Sequence, residues 1–269
     1  MALYDPLNGV YRKVTKAYDP VEGTHRKVIK AYDDVNGVYR QYFSSDPTAG
    51  GLAVGESIWL KVRSTLEEFL VVHQGNPDSA LYDASCDGTW LLKKDMYSTW
   101  FWNGEAGGND YANSEIYEYL HTQCLRDIGI KESIKEVKIP YHKGTGIPGS
   151  IASGADGLSS KVFLLSVYEV GWTVGDSGVL RFMPKDGACL DYFKGMEATD
   201  PGRIGYYEGS PTIWLLRSPY TASYGDAWAV YENGGTSTAI MLAVRGIRPA
   251  FILDRDTPID QSTGKNIIE

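Results

Sequence analysis

The sequence predicts an α+β protein in which a short run of β-hairpins precedes one larger, loop-rich domain. Three observations carry that prediction. The first 43 residues repeat with a period of 14. The chain holds 30 glycines and 12% aromatic residues, which favours many turns and large flat side chains over a helical bundle. Only one stretch, "NDYANSEIYEYLHTQCLRDIG", carries a full set of helix signals.

The repeats align as "YDPLNGVYRKVTKA" (4–17), "YDPVEGTHRKVIKA" (18–31) and "YDDVNGVYRQYF" (32–43). Tyr4, Tyr18 and Tyr32 keep the period, as do Gly9, Gly23 and Gly37. Asn8-Gly9, Glu22-Gly23 and Asn36-Gly37 sit between β-prone arms. Asn-Gly is a strong hairpin signal, because both residues tolerate positive φ. Each repeat therefore predicts one hairpin, which needs neighbours to bury a core. The segment 1–43 reads as an attachment or oligomerising stalk; a small appendage packed on the main domain is the alternative. "SSDPTAGG" places a linker at 44–54. The main domain is expected over 55–258, and 259–269 reads as a polar tail.

Within the domain, "EEFLVVHQG" predicts a strand running into a glycine turn. In the helix, Asn113 or Ser114 is the cap, Ile116, Leu120 and Cys124 form an i, i+4 row, and Gly129 is the stop. "YHKGTGIPGSIASGADGLSS" (141–160) predicts a long Gly/Ser loop. "KVFLLSVYEVGW" (161–172) predicts a buried strand, and "TIWLLRS", "AWAVYENGG" and "IRPAFIL" predict three more.

Composition narrows the function classes. Apolar residues make up 43% of the 269, enough for a core. The net charge of −8, with no dense Lys/Arg run past residue 40, argues against nucleic-acid binding, which rests on phosphate neutralisation. Cys86, Cys124 and Cys189 are odd in number and far apart, which suits folding in a reducing cytosol. No apolar signal core opens the sequence. No segment approaches the roughly 20 apolar residues of a membrane span. Membrane insertion is not expected.

The series "NDYANSEIYEYL", "VFLLSVYEVG", "WLLRSP" and "GIRPAFIL" resembles a bacterial and prophage domain of unassigned function, over about residues 55–253. That domain carries a Trp-Trp-Leu-Arg-Ser-Pro phrase followed by Gly-(Val/Ile)-Arg-Pro-Ala. It is similar to a branch of the C-type lectin-like fold that includes the formylglycine-generating-enzyme family and the variable proteins of diversity-generating retroelements. The resemblance implies a C-type lectin-like domain of mixed and antiparallel sheets, about two helices and long loops. It departs from the pattern at Leu215, where the second tryptophan would stand. The sugar-binding calcium motif is absent as well, since "NPD" occurs at 76–78, before the helix, and no Trp-Asn-Asp follows.

On such a fold Arg217 and Arg248 read as framework residues that tie loops to carbonyls or carboxylates, and Pro219 and Pro249 as loop exits. Between the frames lie the candidate ligand-binding residues Tyr220, Thr221, Ser223, Tyr224, Asp226, Tyr231, Asn233, Thr236, Ser237 and Thr238. Tyrosine offers a rigid face with a polar end, and small hydroxylic residues adapt around it. The resemblance also implies template adenines that are randomised. Asn codons treated so cannot yield Trp, Lys, Glu, Gln or Met. Residues 220–227 and 233–240 stay inside the reachable set; Trp228, Glu232 and Met241 fall outside it.

A catalytic apparatus is not evident. His25, His73, His121 and His142 show no metal-ligand spacing, with His121 expected at the rim. "GTGIPG" (144–149) lacks the Lys-Ser/Thr of a P-loop, and no Gly-x-Ser-x-Gly elbow occurs. Glu67 and Glu68 are adjacent and point to opposite faces of a strand. Glu115 and Glu118 read as exposed helix carboxylates. The related oxidase function needs a late cysteine pair, and only Cys189 lies in the last third. No cofactor is expected; Asn109, Asp110, Asp156 and Asp226 are loop residues that a structural calcium would use. The expectation is thus a non-enzymatic phage or prophage receptor-binding protein. Its partners would be a host cell-surface protein or glycan, other tail proteins through the repeats, and further copies of itself, a trimer being favoured. It would act on the virion or outside the cell. A structural virion or cell-surface component and a carbohydrate-active enzyme working through two carboxylates are the alternatives.

Overall fold

The computed structural model describes residues 47–104, 108–144, 151–175 and 178–269 in full, and the strand backbone alone at 4–7, 10–13, 17–21, 24–28, 30–35 and 38–44. The chain divides into two units, Met1–Thr48 and Ala49–Glu269.

The first unit is three antiparallel hairpins, Tyr4–Leu7 with Val10–Lys13, Ala17–Val21 with Thr24–Val28, and Lys30–Val35 with Val38–Ser44. The innermost pairs, Leu7↔Val10, Val21↔Thr24 and Val35↔Val38, occupy the same place in each repeat. The 14-residue period is therefore one hairpin per repeat. The turn residues Asn8-Gly9, Glu22-Gly23 and Asn36-Gly37 lie outside the described residues.

The second unit is α+β and mostly sheet. Its first sheet comprises β1 (Ser57–Val62), β2 (Thr65–Gln74), β3 (Thr89–Lys93), β9 (Ala250–Leu253) and β10 (Ile267–Ile268), in the order β9-β3-β2-β1-β10. The second comprises β4 (Ser98–Trp100), β5 (Trp214–Pro219), β6 (Asp226–Val230), β7 (Thr236–Ile240) and β8 (Arg245–Ile247), in the order β4-β8-β5-β6-β7. Pairing is antiparallel except for β1 with β10 and β5 with β8. The strands β3, β5 and β9 are buried on both faces, and β3 and β9 accordingly read as mostly apolar runs. Leu91, Phe251 and Leu215 enter one core; Trp90, Leu92, Ile252, Trp214 and Leu216 enter the other.

One α-helical segment is present among the described residues, Glu115–Tyr119 continuing through a π-turn, Leu120–Cys124, to Leu125–Asp127. About two helices were expected. Ser114 Oγ accepts the Tyr117 N–H as the cap, and Ile116, Leu120 and Cys124 are buried in the first core. Gly129 serves less as a stop than as a close-approach point. Its N–H donates to Lys61 O at 2.8 Å, and a Cβ there would lie 3.3 Å from the same oxygen.

Four expectations change. The run 161–172 is mostly buried but turns over 167–171, with Val162 and Leu164 in one core and Phe163, Leu165 and Val167 in the other. It forms no regular ladder, because it threads between the sheets. It exchanges both backbone bonds with Ala250 of β9 at Phe163, and Leu165 O accepts the Arg217 N–H of β5. The Gly/Ser stretch 141–160 contains short strands. Tyr141–His142 pairs with Ile151–Ala152, and Leu158–Ser160 pairs with Val137–Ile139; residues 145–150 lie outside the described residues. The segment 259–269 is no free tail. Ile259 and Ile268 are buried in the first core, and β10 pairs with Trp59 and Leu60. The second half of the linker belongs to the domain: Ala49 and Leu52 are buried, and their carbonyls accept from Gln74 Nε2.

Candidate ligand-binding surface

The loops at one end of the second sheet are set by a buried polar network on β5. Arg217 and Glu169 are both fully buried and pair in bidentate fashion, Nη1–Oε2 at 2.5 Å and Nη2–Oε1 at 2.6 Å. Arg217 also donates to Pro140 O, Leu164 O and Asp186 O. Glu169 accepts from Tyr82 Oη and the Ser166 N–H. One guanidinium thus joins β5 to three irregular segments, which suits its rigid fork of donors. Next along β5, Ser218 Oγ donates to the Asp186 carboxylate and accepts the Val167 N–H. Burial pushes the Asp186 carboxyl up to about 7, against the opposing pull of Arg217. Arg248 plays a parallel part, donating to Lys93 O and Arg203 O over the Trp214 ring; burial lowers it to about 10.

From this frame β5 leads into the loop 220–225. Tyr220 is half-buried, its ring edge-on to Phe182 and Trp228 with centroids 5.5 Å away in each case. Thr221 Oγ1 and N–H both donate to Phe182 O. The Asn109 side chain, itself buried, donates to Tyr220 O, Ser223 O and Asp226 O. Asp110 caps the turn that follows, accepting from the Ala112 N–H and Asn113 Nδ2. Asn109 and Asp110 are therefore engaged in holding backbone. Among the described residues no group of three or more His, Cys, Asp or Glu is placed to hold a metal. His121 is half-buried, with Nδ1 at 2.9 Å from Tyr117 O and Nε2 facing Ser160 Oγ and the Lys161 N–H. That geometry selects the neutral Nδ1–H tautomer.

At the other end of the β6–β7 hairpin the turn 231–235 closes through Tyr231 N–H to Gly235 O and Gly234 N–H to Tyr231 O. Gly234 has φ +79, and a Cβ there would meet Asp200 O at 2.1 Å. Only glycine fits.

The ten expected binding residues do not form one site. Tyr220, Thr221, Ser223, Tyr224 and Asp226 gather at one end of β6. Tyr231, Asn233 and Thr236 lie at the other, four strand steps or about 13 Å away. Thr236 and Thr238 share the face of Val230 and Trp228, and Ser237 lies on the opposite face with Ala229. Tyr220, Thr221 and Ser223 spend much of their polar capacity on the frame. Tyr224 is exposed, more so than Tyr231, and it has neighbours that were not expected to share a surface with it. Met241 N–H donates to Gly225 O, which sets the turn 240–244 beside Tyr224. Tyr224, Ile240, Leu242 and Val244 are 64%, 62%, 51% and 55% exposed, while Met241 between them is buried. The signal for this cluster stood in "IMLAV", an apolar run that enters no core at alternate positions.

Burial also sorts the residues by tolerance to change. Trp228 and Met241, unreachable by adenine randomisation, are core residues, whereas Glu232 is exposed. Within the reachable stretches Ala227, Gly234 and Ala239 are buried, so neither 220–227 nor 233–240 is free throughout.

The family described as a domain of unknown function (DUF6273) matches residues 87–255. No curated protein and no solved structure matches this chain.

Proposed function

The chain belongs to the DUF6273 family, whose description assigns no activity, and from that premise we propose that its second unit is a recognition domain. Tyr224, Leu242 and Val244 would meet a host-surface protein or glycan. The unit would be a C-type lectin-like fold, the protein a receptor-binding component of a phage or prophage particle, and the hairpin repeats its attachment. The single observation behind this reading is the cluster of exposed apolar and aromatic side chains at 224 and 240–244. Exposed apolar clusters mark interaction surfaces when they exceed scattered single residues. Here the backbone beneath is held by Asn109, Arg217 and Met241, so little order is lost on binding.

Sister sequences test it, together with a search beside the gene for a near-copy of the 214–251 coding region that differs at adenines. Variation is expected at Ala222 and Tyr224, which face solvent, and not at Ala227, Gly234 or Ala239. Equal variation at the buried and exposed positions would sink the recognition reading.

A further inference from the structure

We infer that β7 is a self-complementary sheet edge through which two copies of the chain join, antiparallel and centred on Thr238. The observation is independent of the ligand reading and goes beyond it.

In antiparallel pairs, residues alternate between exchanging hydrogen bonds with the partner strand and pointing their backbone groups away from it. The bonds Tyr231 N–H to Gly235 O and Met241 N–H to Gly225 O, in the register Asp226↔Ile240, fix that alternation for β6 and β7. Ser237 and Ala239 face β6. Thr236, Thr238 and Ile240 turn their N–H and C=O groups outward. Outside the ladder, no hydrogen bond among the described residues engages those three N–H groups. Of the carbonyls, Thr238 O accepts from Ser237 Oγ at 3.2 Å and Ile240 O from the Ala243 N–H, each using one of two lone pairs.

Exposed edges are normally blunted by charge, proline, bulges or a covering segment. β7, "TSTAI", has no charge and no proline, and its register with β6 runs unbroken over five pairs. Within the two five-stranded sheets the other edges are short or covered. β4 has three residues and β10 two. β9 is overlaid by Phe163, Ile134 and the Lys135 N–H.

A second copy fits this edge because its outward residues are spaced evenly about Thr238. A two-fold axis there pairs Thr238 with its counterpart and Thr236 with the other copy's Ile240, and gives each outward group a partner. The side chains then meet as Thr–Thr and Thr–Ile pairs, which favour cross-strand packing. Two five-stranded sheets become one, and Tyr224, Leu242 and Val244 stay outside the new ladder on both copies. The interface is isologous, as two-fold assembly requires.

The test is site-directed cross-linking of the full chain in a Cys189→Ser background, which removes the one thiol that is not buried. T238C is expected to give linked dimers with a mild oxidant or a short bis-maleimide. T236C alone is expected to give none, because its counterparts would lie about 13 Å apart. A mixture of T236C and I240C chains is expected to link. Thr238→Lys, which sets like charges on the axis, should raise the dimer dissociation constant at least tenfold without altering the fold's circular dichroism. Linking by T236C as strong as by T238C, or none by T238C, would overturn the register. So would a Thr238→Lys chain whose dimer dissociation constant is unchanged.

Discussion

At the scale of single residues, the notable feature is how much charge the second unit buries at the root of its loops. Arg217, Glu169 and Asp186 are all fully buried, and a desolvated charge persists only where its partners are complete. The Arg217–Glu169 pair meets that condition. Asp186 does so only in part, since its carboxyl faces Ser218 Oγ, with Arg217 and Glu169 beyond. Its raised value has a consequence for stability. An unfolded aspartate ionises near ~3.9, whereas the folded carboxyl holds its proton up to about 7. Between those values the folded state binds more protons than the unfolded one. Stability therefore falls as pH rises across that window and levels off above it. Asp186→Asn keeps an acceptor for Ser218 and removes the titration. Urea unfolding at pH 5 and pH 8 should show the wild type losing more stability than the variant. Equal losses would show that Asp186 does not titrate in the window.

At the scale of elements, what the sequence disclosed depended on whether an element carries its own signal. The helix did, through the Ser114 cap and the Ile116, Leu120, Cys124 row. So did β2, β5, β6 and β9, and the hairpin repeats. The run 161–172 had a strand's composition, but its polar backbone is satisfied largely by the side chains of Tyr111, Glu169, Arg217 and Ser218, and by isolated contacts with two sheets. No local pattern distinguishes that from a ladder. β10 failed to register because two isoleucines among polar residues have no period. The binding residues were legible as chemistry but not as a place: hydroxyl and tyrosine content marked the hairpin, while register put its two ends on different surfaces. The C-terminal segment yields a firm prediction. Ending the chain at Pro258 removes Ile259 and Ile268 from the first core, the β10 pairing, and the Lys265 ammonium 3.6 Å from the Trp59 ring. Two buried isoleucines alone contribute about 3–6 kcal/mol. The truncated chain should therefore melt many degrees lower, or fail to fold; an unchanged thermal midpoint would show that β10 is dispensable.

For the molecule as a whole, recognition and assembly draw on one hairpin but on separable residues. The β7 edge uses backbone groups of Thr236, Thr238 and Ile240, whereas ligand contact would fall to Tyr224, Leu242 and Val244. Two linked copies would convert a weak single contact into a lasting one, since the second engagement proceeds at high effective concentration. Hot-spot aromatic and apolar side chains often account for 2 kcal/mol or more of binding, about thirtyfold in affinity. Replacing Tyr224 and Leu242 by serine removes two such groups from positions where folding does not depend on them, both being more than half exposed. Fluorescently labelled full chain, applied to intact cells across a bacterial panel, should label some strains. The Y224S/L242S chain should label the same strains at least tenfold less, with the thermal midpoint and the T238C cross-link unchanged. Labelling that survives the double substitution would move the ligand contact away from this surface while leaving the sheet-edge dimer intact. Loss of the cross-link together with labelling would instead mean that the two functions share residues, contrary to the division drawn from the register of β6 and β7.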